Sequence, residues 1–250
     1  IGGWRLLGAL GLRPEVCHLN EGHAAFVVLE RARTYMRETG RSFDAALAVT
    51  RAGNIFTTHT PVDAGFDRFS PDLVARYLSD YAAELGLSMR DLLALGRRNR
   101  NDGSEPFNMA YLAMRGCNRV NGVSRLHGRV SRGIFQPLYP RWPASEVPIG
   151  HVTNGVHVPT WQSREAAELW ETACGRDCWT KQRAQIAPDF AGITDEQLWV
   201  LRTNSRLALV EYARKRLARQ RAAQGASPRQ IAQAGRVLDF DTLTLGSRAV

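Results

Sequence analysis

The segment PEVCHLNEGHAAFVVLERARTYMRETGRSFDAALAVTRAGNIFTTH, residues 14–59, decides the predicted fold because β-type and helical patterns alternate along it. Its apolar residues form a short run, then recur at the spacing of two amphipathic helices, then form a second short run. These patterns predict strands over 14–19 and 54–59, and helices over 21–40 and 43–53. The order strand–helix–helix–strand predicts an α/β fold, with a mostly parallel sheet covered by helices.

Similar patterns continue on both sides of this segment. Further helices are predicted over 3–10, 71–86, 88–95, 107–117, 126–135, 164–174 and 195–223, and further strands over 118–124 and 149–156. We therefore expect an α/β lobe over 1–163, a helical segment over 164–235, and over 236–250 a linker that turns into a strand. The chain begins without methionine and ends in a strand that no helix covers, so a fragment of a longer protein is expected.

Charge and hydropathy narrow the classes of function. The net charge of +9 comes almost entirely from arginine, since Lys181 and Lys215 are the only lysines. The basic stretch 211–221 lies on a predicted amphipathic helix, which favours a solvated helix face over a stripe that binds nucleic acid. No run of about 18 apolar residues occurs, so a membrane span is not expected.

The cysteines give an expectation about the compartment. They stand at positions 17, 117, 174 and 178, and they form neither a CxxC pair nor a set with zinc-like spacing. No secretory signal is visible. We therefore expect reduced thiols and a cytoplasmic protein.

The hexapeptide HLNEGH, residues 18–23, raises the question of a metal site. His18 and His23 are five residues apart and straddle a predicted strand–helix junction, so they do not share a helix face as the histidines of a zinc HExxH motif do. Asn20 and Glu21 lie where the helix starts, where free backbone N–H groups bind anions or hydroxyls. A cap for this helix and a polar wall for a ligand are both open, and they are compatible.

Polar residues also follow two other predicted strands. His59 ends one of them and is followed by a loop that carries Asp63 and Asp67, and the pair Asn154–Gly155 forms a turn at the end of the other. Ligands of open parallel sheets bind beyond the carboxyl ends of the strands, so His59 is expected to face the same crevice as His18 and Glu21. The turn at Asn154 is expected to direct its amide side chain into a cleft. A purely structural role for His59 stays open. No dinucleotide fingerprint, Walker sequence or GxSxG elbow occurs.

Four segments, taken together and in their order along the chain, resemble the bacterial branch of the α-glucan (glycogen and maltodextrin) phosphorylases. They are HLNEGHAAF, FTTHTPVDAGFDRF, FNMAYLAMRGCNRVNGVSRLHGRVSRGIF and HVTNGVHVPTW. The resemblance is strong over residues 1–165 and looser over 195–246. It implies part of the N-terminal lobe of a GT-B type glycosyltransferase fold. It also implies reversible phosphorolysis of an α-1,4-glucan to glucose 1-phosphate, with pyridoxal phosphate as the cofactor whose phosphate shuttles a proton.

The resemblance implies roles for five residues. His59 matches the family's THT histidine and Asn154 its TNG asparagine, and both approach the glucose 6-hydroxyl. Glu21 and His23 match residues that line the channel beside the sugar, and Asp67 matches the acidic residue after THT. Such groups read a sugar by hydrogen bonds to its hydroxyls, and none of them needs to be a nucleophile.

The cofactor and phosphate sites of the family find no match in this chain. The family holds pyridoxal phosphate on a lysine of its second lobe, whereas Lys181 and Lys215 match no cofactor motif. The strand LTLGSRAV departs at Ser247 and lacks the family's basic phosphate-binding cluster. We therefore expect the chain alone to be inactive. The resemblance leaves a homo-oligomer possible for the full-length enzyme.

Three alternatives stay open from the sequence. One is a transferase like the nucleotide-sugar glycogen synthases, which a nucleotide-binding loop in the second lobe would indicate, whereas a cofactor lysine there would indicate a phosphorylase. The second is a non-catalytic glucan-binding module, which would bind maltodextrin without turnover. The third is an arginine-rich nucleic-acid binder, which would bind DNA in a salt-dependent manner and more tightly than glucan.

Overall fold

The computed structural model describes residues 1–181, 183–236 and 238, which belong to two compact units. The first unit is Ile1–Gly155 and the second is Val156–Val250. The three-part division at residues 163 and 235 stays a prediction. Most of the predicted linker and strand over 236–250 lies outside the described residues.

The first unit alternates strands and helices, as the sequence predicts. Its strands are β1 (Cys17–Asn20), β2 (Asn54–Thr58), β3 (Arg68–Phe69), β4 (Phe107–Asn108), β5 (Arg119–Gly122) and β6 (Gly150–His151). Its α-helices are α1 (Gly2–Ala9), α2 (Phe26–Thr39), α3 (Phe43–Arg51), α4 (Pro71–Glu84), α5 (Met89–Leu95), α6 (Met109–Gly116) and α7 (Arg125–Phe135). Short 3₁₀ helices cover Gly22–Ala24, Asp63–Gly65, Gln136–Leu138 and Ala144–Glu146.

Four strands form one parallel sheet in the order β1-β2-β5-β6. Asn20 pairs with Thr57 across β1 and β2, and Gly122 of β5 pairs with Thr58 on one side and His151 on the other. Strands β3 and β4 form a separate antiparallel pair. The predicted α/β class with a mostly parallel sheet is confirmed, and it agrees with part of a GT-B type lobe.

Hydroxyl and amide side chains determine where most helices of this unit begin. Ser42, Ser70, Ser88, Ser124 and Asn108 each accept a hydrogen bond from a backbone N–H in the first turn of the helix that follows. Such caps satisfy one of the four N–H groups that a helix leaves unpaired at its start. The carboxyl end of helix α2 is terminated by Gly40, which takes a left-handed conformation with φ 67°.

The core lies between the sheet and the helices on its faces. Leu19 of β1 and Phe56 of β2 are buried in one hydrophobic cluster with Val28 and Leu29 of α2 and Leu112 of α6. Helix α6 approaches α2 so closely that a Cβ on Gly116 would lie 2.2 Å from Cγ1 of Val28. This contact explains why a residue without a side chain ends α6.

A buried carboxylate links α1, α2 and α4. Both oxygens of Glu30 accept hydrogen bonds from Arg5 and Arg33, with distances of 2.6–3.2 Å, and the Tyr81 hydroxyl donates to Oε2 at 2.7 Å. Burial raises the pKa of Glu30, but the three donors outweigh it and lower the pKa from 4.5 to about 2. Burial and the hydrogen bond to Glu30 together raise the pKa of Tyr81.

Several predicted elements have different bounds in the structure, and three of these differences have a visible cause. The helix predicted over 21–40 is interrupted, because Glu21 has φ 79° and a 3₁₀ turn precedes α2. The helix predicted over 107–117 begins only at Met109, because Phe107 and Asn108 pair with β3. The strand predicted over 149–156 is limited to Gly150–His151, which pair with the last two residues of β5.

The second unit is helical, and its main helices are the predicted ones. It contains α8 (Val158–Trp161), α9 (Arg164–Cys174), α10 (Arg183–Ala191), α11 (Asp195–Ala223) and α12 (Pro228–Ala234), with a 3₁₀ helix at Cys178–Thr180. A capping box at Thr194 and Gln197 starts α11. Despite the 29 residues of α11, no helix in the described part of the chain is apolar enough to cross a membrane.

One expectation about the cysteines is wrong. A disulfide joins Cys174 and Cys178, whereas the sequence predicts four reduced thiols. Helix α9 ends at Cys174, and Gly175 with φ 83° turns the chain so that the two Cα atoms lie 5.6 Å apart. The spacing of four residues therefore suffices for pairing once a turn follows the helix. Cys17 and Cys117 are free.

Candidate active-site wall

The carboxyl ends of the four parallel strands meet at one edge of the sheet, and four of the five predicted site residues follow these ends. Glu21 follows β1 directly and His23 lies in the 3₁₀ turn after it, while His59 follows β2 directly. Asn154 comes three residues after β6, and its backbone N–H donates to the carbonyl of Val123 at 3.0 Å. We call these four residues, together with Asn20 and Thr60, the carboxyl-edge wall.

Glu21 joins the end of β1 to the end of β2. Its Oε2 accepts hydrogen bonds from the backbone N–H of His59 at 2.6 Å and from the Thr60 hydroxyl at 2.9 Å. Its Oε1 accepts from the N–H of Gly22 at 2.8 Å and thereby caps the 3₁₀ turn. The positive φ of Glu21 brings its carboxylate across the edge, and these three bonds offset the cost of that conformation.

The same edge fixes the imidazole of His59. Its Nε2 lies 2.5 Å from Oδ1 of Asn20, the last residue of β1. Because an amide oxygen only accepts hydrogen bonds, Nε2 donates, and Nδ1 is the ring nitrogen left without a partner among the described residues. The side chain of His59 is exposed although both its backbone and its ring are held. This combination suits a group that presents a hydrogen-bonding atom in a fixed direction.

A buried histidine ties the loop after β2 to the loop after β5. Nδ1 of His127 accepts from the N–H of Val123 at 3.2 Å, so Nε2 carries the proton and donates to the carbonyl of Thr60 at 3.1 Å. His127 lies in the first turn of α7, where its own N–H donates to the Ser124 cap. The main chain is therefore held at two consecutive residues. Glu21 accepts from the N–H of His59, and His127 donates to the carbonyl of Thr60.

A second chain of hydrogen bonds crosses the sheet two residues before the first, at His18 on β1 and Thr57 on β2. The Thr57 hydroxyl donates to Oδ1 of Asn121 at 3.0 Å and therefore accepts from Nε2 of His18 at 2.7 Å. His18 thus spans β1 and β2 and does not act together with His23. The sequence patterns did not point to His127, Thr60 or Thr57, although Ser124 is a recognisable N-cap residue three positions before His127.

Three predicted site residues have side chains that are free of partners. The side chains of His23, Asp67 and Asn154 are exposed and make no hydrogen bond or ion pair within the described ranges. His23 and Asn154 belong to the carboxyl-edge wall by position. Asp67 instead precedes β3, and its carbonyl accepts from the N–H of Met109 at 3.0 Å. The structure therefore joins Glu21 to His59 by hydrogen bonds but does not join Asp67 to them.

The described residues do not fit the attachment of pyridoxal phosphate. That cofactor is held as a Schiff base on a lysine amine. Nζ of Lys181 donates to the carbonyl of Cys174 at 3.0 Å, and Nζ of Lys215 pairs with Glu211 at 2.5 Å on the exposed face of α11. Neither amine lies in the unit that carries the wall.

The parallel sheet and its polar carboxyl edge define the class of α/β proteins that bind ligands beyond their strand ends. Within that class, the sequence family described as carbohydrate phosphorylase matches residues 12–197. The chain belongs to the carbohydrate phosphorylase family, as the resemblance predicts.

Individual relatives agree with this assignment. The glycogen phosphorylase of Mycobacterium tuberculosis is 39% identical over an alignment of 239 residues that covers 93% of this chain and 27% of that protein. The maltodextrin phosphorylase of Thermococcus litoralis is 38% identical over 87% of this chain and 25% of its own length. The glycogen phosphorylase of Aquifex aeolicus is 29% identical over 96% of this chain and 34% of its own. The chain thus spans about a quarter to a third of these relatives.

Proposed function

We propose that this chain provides part of the glucose-binding wall of an α-1,4-glucan phosphorylase. The complete enzyme would transfer the terminal glucose of the glucan to phosphate and release glucose 1-phosphate. The observation that carries the proposal is the hydrogen-bonded set of Asn20, Glu21 and His59 at the carboxyl edge. Family membership and the names of the relatives support the choice of substrate and reaction.

In this proposal the residues of the wall bind and orient the sugar. His59 and Asn154 hold the glucose 6-hydroxyl, while Glu21 and His23 line the channel beside the ring. The hydrogen bonds within the wall indicate different roles for these residues. The carboxylate oxygens of Glu21 already accept hydrogen bonds from Gly22, His59 and Thr60. Glu21 is therefore chiefly a positioning residue for His59, and the exposed His23 and Asn154 are free to bind hydroxyls. Asp67, in the loop between β2 and β3, is proposed to bind the sugar as well.

The proposed reaction also needs groups that the described residues do not provide. Pyridoxal phosphate, when bound, would supply the phosphate that shuttles a proton, and in our proposal a lysine outside this chain holds it. The complete enzyme is proposed to be cytoplasmic and to form a homo-oligomer. The 250-residue chain by itself is proposed to bind glucan weakly and to be inactive.

The experiment is a calorimetric titration of the purified chain with maltoheptaose, using a matched pair of variants. Asn154→Ala removes an exposed amide of the wall, whereas Asn118→Ala removes an exposed amide just before β5, at the opposite edge of the sheet. We expect roughly tenfold weaker binding for Asn154→Ala, since a site built for hydroxyls loses affinity when a partner is removed. Equal affinity of both variants, or no glucan binding by the parent chain, would contradict the proposal.

A further inference from the structure

A cavity of about 410 Å³ lies in the first unit and is lined by three arginines. They are Arg51 of α3, Arg115 of α6 and Arg100 of the loop after α5. Leu47 and Leu138 contribute apolar surface to the same cavity, and Tyr139 an aromatic ring. Its volume is in the range of sites that enclose small molecules.

The topology places this cavity away from the carboxyl-edge wall. Arg51 comes three residues before β2, and Arg115 comes four residues before β5. Both strands are parallel, so these arginines lie at the amino edge of the sheet. The wall begins at the other ends of the same strands, and the cavity is therefore a separate place in the same unit.

The guanidinium groups of the cavity keep most of their donors unused. Nε of Arg51 donates to the carbonyl of Cys117 at 3.1 Å, and Nη1 of Arg115 donates to the carbonyl of Leu95 at 2.6 Å. Arg100 donates no side-chain hydrogen bond within the described residues. Each guanidinium has five N–H donors, so the two anchored groups are oriented by the backbone and still have donors to offer.

The positive charge of the cavity is not compensated within residues 1–181 and 183–236. No carboxylate in these ranges lies within ion-pair distance of Arg51, Arg100 or Arg115. Asp44 lines the cavity, but it is exposed and pairs with none of the three. Burial and then the charge of Arg100 lower the pKa of Arg115, which indicates that the two cations act on each other.

We propose that this cavity binds the phosphate group of a small phosphate monoester. Arginine forks match phosphate oxygens geometrically and form charge-assisted hydrogen bonds with them. A dianion relieves the repulsion among the three cations, whereas a neutral ligand does not. The apolar surface of Leu47 and Leu138 and the ring of Tyr139 contact the esterified group, so a monoester binds more tightly than inorganic phosphate.

The test titrates the 250-residue chain with inorganic phosphate and with phenyl phosphate by calorimetry. Arg100→Gln removes one cation from an exposed loop and leaves the anchored arginines in place. Arg90→Gln makes the same charge change on an exposed residue of α5 outside the cavity. We expect Arg100→Gln to weaken phenyl phosphate binding about tenfold, because a charged hydrogen bond is lost, and Arg90→Gln to change it less than twofold.

Two further variants distinguish binding in the cavity from attraction to net charge and from the glucan-binding wall. Arg51→Gln, which also changes an exposed side chain, is expected to weaken binding as Arg100→Gln does. Asn154→Ala is expected to leave phosphate binding unchanged, so a failure of the glucan proposal does not affect this result. Equal weakening by Arg90→Gln and Arg100→Gln would show binding to net charge alone and overturn the proposal. No binding of phenyl phosphate at millimolar concentration would overturn it as well.

Discussion

At the scale of single residues, the wall depends on carboxylate and imidazole atoms that are already bonded within the chain. Glu21 accepts three hydrogen bonds and so sets the position of His59. The family resemblance gives both residues a place beside the sugar, but it does not distinguish a residue that touches the ligand from one that positions another. Geometry makes that distinction, because oxygens that are bonded to backbone N–H groups have less capacity for a hydroxyl.

Replacing Glu21 tests this positioning role. Glu21→Gln puts an amide N–H₂ where a carboxylate oxygen accepts from a backbone N–H, so we expect a loss of about 1–3 kcal/mol in the free energy of unfolding. Maltoheptaose affinity should fall together with it. Urea denaturation and calorimetry measure the two effects. Glu146→Gln is the control, because its carboxylate is exposed and has no partner among the residues that the structure describes. Equal stability of both variants would show that the network is dispensable.

The lowered pKa of Glu30 predicts how the free energy of unfolding depends on pH. Its pKa is about 2 in the folded chain and near the ordinary 4.5 when unfolded, so the folded state binds its proton less readily. The stabilisation is fully present above pH 4.5 and is lost as the pH falls from 4.5 towards 2. It amounts to about 3 kcal/mol.

Acid titration of the unfolding free energy checks the effect of Glu30. We expect the Glu30→Gln variant to be less stable at neutral pH and to show a flatter decline in acid. Glu84→Gln changes an exposed partner of Arg33 and is expected to keep the steep decline. Parallel curves for Glu30→Gln and the parent chain would contradict the assignment.

At the scale of elements, the close approach of α6 to α2 makes a size-dependent prediction. Gly116→Ala would place a methyl group 2.2 Å from Cγ1 of Val28, so we expect a loss of about 1–3 kcal/mol in the free energy of unfolding. Gly133→Ala lies within α7, where a Cβ meets nothing within 4 Å, and should be neutral or stabilising. Thermal unfolding compares the two, and Val28→Ala should partly restore Gly116→Ala. Equal effects of the two glycine variants would refute the packing.

The sequence predicts a helix or strand well where its hydrophobic period and its cap residues lie within the element itself. Helices α9 and α11 have the predicted bounds, and α4 ends within two residues of them. The pairing of β3 with β4 could not be predicted, because residues 68–69 and 107–108 are too short for a period and are about forty positions apart. The positive φ of Glu21 was likewise missed, since its cause is the position of His59 across the sheet.

The candidate site is predictable in position more than in detail. The rule that ligands lie beyond the carboxyl ends of parallel strands, together with the four family segments, identified Glu21, His59 and Asn154. Neither gave the roles of Thr60 and His127, which act through main-chain atoms of the loop after β2. Contacts of that kind join residues that are distant in sequence, so no pattern of residue types at fixed spacing predicts them.

At the scale of the whole molecule, two edges of one sheet carry two different chemistries. The carboxyl edge presents imidazole and amide groups suited to hydroxyls, and the amino edge presents three arginines suited to phosphate. Both lysines are engaged in the second unit, so the chain is expected to show no phosphorolysis. Release of glucose 1-phosphate from glycogen and phosphate by the purified chain, assayed enzymatically, would contradict this expectation.

The central claim is that the carboxyl edge is a glucan-binding wall, and residue-resolved NMR during a maltoheptaose titration tests it most directly. We predict saturable backbone shifts at residues 20–23, 59–60 and 152–154, with residues 115–118 at the opposite edge of the sheet unchanged. Shifts confined to other surfaces, or no saturable shift at the wall, would contradict the account.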